Sequence, residues 1–115
     1  MAHLYQPTNP AVLKLIEMTI AAAKRNGIYV GVCGESAADP IVGVLWAAMG
    51  VDLLSMSATY IPVMAKLFSR LTRADLDDYL KVAEAACDGA TAVDVMTACR
   101  NWLKERIPDL ENIVI

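Results

Sequence analysis

Tyr29-Val-Gly-Val-Cys-Gly-Glu-Ser-Ala-Ala-Asp39 is the stretch that decides how the chain is read. With Ile28 in front of it, Ile28–Val32 is an apolar run rich in β-branched residues and bracketed by Gly27 and Gly34. That is the pattern of a strand buried on both faces. The run ends on Cys33. Asp39-Pro40 then opens a helix, because aspartate accepts hydrogen bonds from free first-turn N–H groups and proline fits the first helical position. Cys33 is therefore expected at the carboxyl end of a parallel strand, on a strand-to-helix loop. In open α/β sheets and in closed (β/α)8 barrels, that edge carries the chemistry.

Working outward toward the N-terminus, Asn9-Pro10 repeats the cap-plus-proline start. The helix it opens places Val12, Leu15, Ile16, Thr19, Ala22 and Ala23 on one side, and Lys14, Glu17, Lys24 and Arg25 on the other. Asn26-Gly27 stops it. Met1–Thr8 has no period and contains Pro7, so it reads as an extended lead-in.

Toward the C-terminus, Ile41–Met49 forms a helix with no polar face, which must be buried all round. A chain this short is not expected to achieve that alone. Gly50 ends the helix, and Leu53–Met56 is a second short strand. Ser55-Met-Ser-Ala58 makes a second strand-to-helix turn, with Ser57 or Thr59 capping a helix that runs through Pro62 to about Arg70. Two parallel strands joined by a crossover helix form a βαβ unit. The remainder is helical. Thr72-Arg-Ala-Asp75 is a capping box ahead of the stripe Leu76, Tyr79, Leu80, Ala83 and Cys87, closed by Asp88-Gly89. Thr91–Asp94 repeats the cap for a last helix with the stripe Val95, Met96, Cys99, Trp102 and Leu103, which Pro108 ends. Asp109–Ile115 is a tail whose Ile113-Val-Ile can pair with or dock on the rest of the chain. The organisation expected is 1–71, 72–107 and 108–115.

At 115 residues the chain is one domain at most. It is 57% hydrophobic and 20% charged, with a mean hydropathy of +0.43. A membrane span does not explain this, because the longest apolar run, Ile41–Val51, falls short of the roughly 18 residues a spanning helix needs. No basic region followed by an apolar stretch marks a signal peptide. A net charge of −3 and a pI near 5.0 argue against a nucleic-acid partner, which calls for a basic face. Three widely spaced cysteines argue against a disulfide framework and fit a reducing, cytoplasmic setting. Two strands alone make no stable sheet. Either several copies complete it, so that the chain is a homo-oligomer, or the chain is a piece of a longer protein.

Three segments carry a resemblance: His3-Leu-Tyr-Gln-Pro7; Val32-Cys-Gly-Glu35 with Asp39; and Met49-Gly-Val-Asp52 followed by Ser55-Met-Ser-Ala58 and Ile61-Pro62. In this order and spacing they resemble the C-terminal end of the enzyme I family of the bacterial sugar phosphotransferase system, the phosphoenolpyruvate-protein phosphotransferases. The resemblance runs from about His3 to Arg70. Cys-Gly-Glu occurs also in pyruvate phosphate dikinase and phosphoenolpyruvate synthase, whereas Ser-Met-Ser-Ala followed by Ile-Pro favours enzyme I. The resemblance implies an α/β fold: the last two βα units of a (β/α)8 TIM barrel, followed by C-terminal helices. A whole barrel typically takes about 250 residues, so it implies a fragment.

The resemblance also implies a chemistry. The parent moves phosphate from phosphoenolpyruvate to a protein histidine and on to a phosphocarrier protein in sugar uptake. Cys33 matches the family's proton donor to enolpyruvate, which becomes pyruvate. A general acid must hold its proton until needed, and a neighbouring carboxylate such as Glu35 favours the thiol form; Glu35 is alternatively a loop-positioning residue. Gly31 and Gly34 remove side chains where substrate or backbone must come close. Ser55 and Ser57 either line the pocket or cap the next helix. Without the family, Cys33 reads as a small buried hydrophobe at a strand end. Cys87 and Cys99 read as core, and His3 as a surface or packing residue. Asp75, Asp77 and Asp78 make no metal pattern and read as helix N-terminal charge and a solvated face. Magnesium ligands and phosphate-binding arginines belong to earlier barrel strands in the family, so this chain is expected to bind no metal and, alone, to be inactive. The competing readings are the equivalent piece of a dikinase or synthase, and a non-catalytic module that self-associates.

Overall fold

The computed structural model describes residues 8–87 and 91–113. The His3-Leu-Tyr-Gln-Pro7 segment, the Asp88-Gly89 stop and the last two residues lie outside them. The chain is a helix-dominated α/β structure with one two-stranded parallel sheet.

Helix α1 spans Pro10–Arg25, and its cap is the expected one: the Ala11 N–H donates to Asn9 Oδ1 at 2.9 Å. Its buried face differs from the expected stripe. Leu13 and Ile20 are buried and Ile16 packs half-buried against the core, while Val12, Leu15 and Thr19 are exposed. The uncharged arc of α1 is wider than the core it meets. Only one edge of that arc finds partners, and Leu15 and Met18 stand 64% and 57% exposed.

Strand β1 covers Gly31–Cys33 and strand β2 covers Leu53–Ser55, in the register Gly31↔Leu53, Val32↔Leu54 and Cys33↔Ser55. The first strand is shorter than Ile28–Val32 and is not buried on both faces. Val32 and Leu54 are half-buried against the core, whereas Gly31, Cys33, Leu53 and Ser55 are exposed. Alternation along a strand sends successive side chains to opposite faces, and helices cover only one of them. Asp52 closes the amino end of the sheet: its Oδ2 accepts the Val30 N–H at 2.9 Å, its own N–H donates to the Val30 carbonyl at 2.8 Å, and its Oδ1 accepts from Lys24 Nζ at 2.7 Å.

Between the strands lie a one-turn helix α2, Glu35–Ala38, which the sequence reading did not anticipate, and α3, Pro40–Met49. Asp39 caps α3 as expected, its Oδ1 accepting from the Ile41 and Val42 N–H groups. Ile41 through Trp46, and Ala48, are all buried. The all-apolar helix is thus enclosed by this chain alone, contrary to expectation. The reason is the helical remainder. Helices α5, Arg73–Ala86, and α6, Ala92–Arg106, pack onto α3 and supply Tyr79, Ala83, Val95, Cys99 and Leu103. The Tyr79 hydroxyl donates to the Ile41 carbonyl at 2.6 Å, and its ring meets Trp102 edge-on at 5.4 Å. Both capping boxes, Thr72 with Asp75 and Thr91 with Asp94, are complete.

After β2, a 3-10 turn at Ala58–Tyr60 leads into α4, Ile61–Phe68. The expected serine or threonine cap is absent: Ser57 starts the 3-10 turn without a side-chain cap bond, Thr59 lies inside the turn, and Tyr60 precedes α4. The tail is not loose where it is described. Helix α7, Leu110–Ile113, buries Leu110 and Ile113 and packs on α4, while Arg70 donates two bonds of 3.0 Å to Asp109. Asp75 is not part of a solvated face. It completes its capping box and accepts from Arg106 at 2.8 and 3.1 Å.

Candidate functional site

The carboxyl ends of β1 and β2 bring the candidate residues to one edge. Cys33 is a free, exposed thiol, and Ser55 is its partner in the register, so both side chains stand on the open face of the sheet. The chain then turns sharply. Gly34 has φ +102°, ψ −165°, a region that only glycine occupies without strain, and a Cβ there would point into open space. The demand on this position is thus conformational. The turn is tied by the Gly34 N–H donating to the Ser55 carbonyl at 3.3 Å and the Ala37 N–H donating to the Gly34 carbonyl at 3.2 Å. Glu35 is the first residue of α2.

A groove of about 180 Å³ runs beside this turn, lined by Gly34, Glu35, Ala38, Met56, Ser57 and Tyr60. Three of the five candidates, Gly34, Glu35 and Ser57, line it. Cys33 and Ser55 lie on the adjoining open face. Met56 and Tyr60 are pocket residues that sequence reasoning did not single out. Their position in the second strand-to-helix turn was the available signal, and the parallel register is what brings that turn beside the first.

The other two thiols are of a different kind. Cys99 is fully buried, and burial pushes its pKa up to about 11. Cys87 is half-buried instead of being full core, and burial, with Glu17 and Glu84 nearby, holds its thiol above the usual range. Both are kept protonated and away from the sheet edge. The groove offers one carboxylate, Glu35, and no cationic side chain. Among the described residues, no three histidine, cysteine or acidic side chains converge as a metal site, and no helix is long and apolar enough to cross a membrane.

A family model described as PEP-utilising enzyme, PEP-binding domain, matches residues 1–73. The phosphoenolpyruvate-protein phosphotransferase of Geobacillus stearothermophilus is 43% identical over 98 residues, covering 84% of this chain and 16% of the relative. That of Latilactobacillus sakei is 42% identical over 83 residues, covering 72% and 14%. That of Listeria monocytogenes is 36% identical over 105 residues, covering 91% and 18%. The chain spans less than a fifth of the length of these relatives. The matched region takes in both strands, the Cys33 turn and the groove, and on that match the chain belongs to the PEP-utilising enzyme family.

Proposed function

We propose that this chain is the closing part of the phosphoenolpyruvate-binding (β/α)8 barrel of a phosphoenolpyruvate-protein phosphotransferase, and that Cys33 is the parent's proton donor. The observation that carries this reading is the one-sided sheet. Its outer face, Val32 and Leu54, packs on helices as the outside of a barrel strand does, while Gly31, Cys33, Leu53 and Ser55 face solvent where a barrel interior would lie. The exposed side chains Val12, Leu15 and Met18 on α1, with Ile28 and Tyr29 before β1, support the same reading. A strand joined to β1 by a right-handed crossover through α1 is the kind of neighbour that would cover them.

In the proposed reaction the parent transfers phosphate from phosphoenolpyruvate to a protein histidine, for onward passage to a phosphocarrier in sugar uptake. The enolate oxygen electrons fold back to a carbonyl, the methylene carbon takes the proton from the Cys33 Sγ–H, and pyruvate leaves; the thiolate regains its proton from water. Gly34 supplies the backbone conformation that the turn after Cys33 requires, and Glu35 and Ser57 shape the groove. Magnesium, which supports phosphoryl transfer in this family, does not fit the groove on its own, since Glu35 alone is far from an octahedral set of oxygen ligands. Its ligands and the cationic clamps for phosphate are assigned to the rest of the parent, and the isolated chain is proposed to be inactive.

The test is complementation. The Geobacillus stearothermophilus enzyme lacking its matched region is mixed with this chain, and phosphoenolpyruvate-dependent phosphorylation of the phosphocarrier is followed. Activity is expected with the natural chain and is expected to fall by about 10²–10⁴-fold with Cys33→Ala, the range for losing a positioned general acid. Equal rates with both chains would remove Cys33 from the mechanism. If light scattering instead shows the chain forming a stable oligomer that ignores the truncated enzyme, the self-associating module is the better reading.

A further inference from the structure

Helix α2 has four residues, too few to hold itself together in water. Something else must fix the turn that carries Cys33, Gly34 and Glu35, all the more because Gly34 sits in a region open only to glycine. The packing is close. Ala37 is fully buried, and a Cβ on Gly43 of α3 would lie 2.8 Å from the Ala37 carbonyl oxygen and 2.7 Å from Met64 Cε. Among the described residues, one side-chain hydrogen bond joins α2 to the core: the Trp46 indole N–H donates to Ser36 Oγ at 3.2 Å. Trp46 is 2% exposed, in the middle of the enclosed helix that Tyr79 ties to α5.

We propose that Ser36 and Trp46 form a latch that transmits the rigidity of the helical core to the Cys33–Glu35 turn, making Ser36 a positioning residue for the thiol. What is positioned rests on the reading of Cys33 given above; the latch itself does not. A buried indole N–H without a partner is costly, so the hydroxyl on Ser36 is held against Trp46 and the backbone of α2 with it. Gly43 lets α2 come close enough for that bond.

The experiment is amide hydrogen exchange on the full chain. Ser36→Ala is expected to speed exchange at Ala37 and Gly34 by roughly tenfold, the scale of one lost hydrogen bond. The amides of Tyr79, Ala83, Cys99 and Leu103 are expected to keep their rates. Ser36→Thr, which restores a hydroxyl, is expected to return Ala37 to within about twofold of the natural rate, on the same energetic scale. Unchanged exchange at Ala37, or a uniform change across the core, would overturn the latch. In the complementation assay, Ser36→Ala is expected to lower kcat while leaving KM for phosphoenolpyruvate unchanged. Faster exchange with an unaltered kcat would overturn the positioning role. Should the natural chain show no complementation at all, the functional reading fails, while the exchange data still decide the latch.

Discussion

Two regions of this molecule solve the same problem in opposite ways. Around α3, an entirely apolar helix is covered along most of its surface by α2, α4, α5 and α6 from the same chain, down to Val44 and Leu45 at 0% exposure, with only Ala47, Met49 and the terminal Pro40 half-buried. A few residues away, the two-stranded sheet leaves Leu53 48% exposed, and Ile28 and Tyr29 beside it 60% and 67%. The difference lies in how each element acquires neighbours. Helices α5 and α6 come after β2 and α4 in the same chain and pack their apolar stripes directly onto α3. A parallel strand can only be completed by another strand across a crossover, and a strand on the far side of β1 must come from residues other than those described. The helical region encloses its own apolar surface, and the sheet keeps one face open among the described residues.

The strongest way to break this comparison is to truncate the covered side. Leu45→Ala or Leu103→Ala is expected to destabilise the chain by about 2–5 kcal/mol, read from the urea midpoint, because each leaves a cavity at a fully buried site. A loss below about 1 kcal/mol would mean the helical region is not the well-packed core described. Gly43→Ala comes next, at about 1–3 kcal/mol, since the added methyl meets the Ala37 backbone as well as the flexible Met64 tip. If it proves neutral, the close seating of α2 on α3 is wrong.

Acid sharpens the contrast from the electrostatic side. Asp75, 12% exposed at its side chain, has its pKa lowered from 3.8 to about 2, chiefly by the Arg106 guanidinium and then by the Thr72 N–H. A carboxylate whose folded pKa lies below its unfolded value stabilises the fold above the unfolded pKa and loses that contribution as pH falls through the folded one. Stability is therefore expected to decline between about pH 4 and pH 2, with about 1–2 kcal/mol of the decline tracing to Asp75 once the half-exposure of Arg106 is allowed for. Asp75→Asn should flatten that part of the profile, and an unchanged slope would show that the pair contributes nothing. Asp52 and Asp109 shift in the same direction, through Lys24 and Arg70. The smallest effect is expected on the open face: Leu53→Ser should move stability by no more than about 0.5 kcal/mol, as at ordinary surface sites. A large loss there would show that the sheet is already part of a closed core.

Much of the site was legible because its signals are local. A β-branched run ending in Cys33, a glycine after it and an Asp-Pro cap place a thiol on a strand-to-helix loop without knowledge of any distant residue. The groove was only half legible. Gly34, Glu35 and Ser57 line it, but Met56 and Tyr60 enter only because the parallel register sets the second turn against the first. The serine cap expected at Ser57 does not form, because a 3-10 turn separates that residue from α4.

By itself the sequence determined the helix starts at Asn9, Asp39, Thr72 and Thr91, the βαβ order and the place of Cys33 at the end of the first strand. These depend on side chains satisfying backbone groups two or three residues away. Tertiary structure alone decided which edge of α1 is buried, that α3 is enclosed without help, and that Ser36 reaches Trp46. Each of these depends on where apolar surface finds a partner, and that is a property of how the elements meet in space.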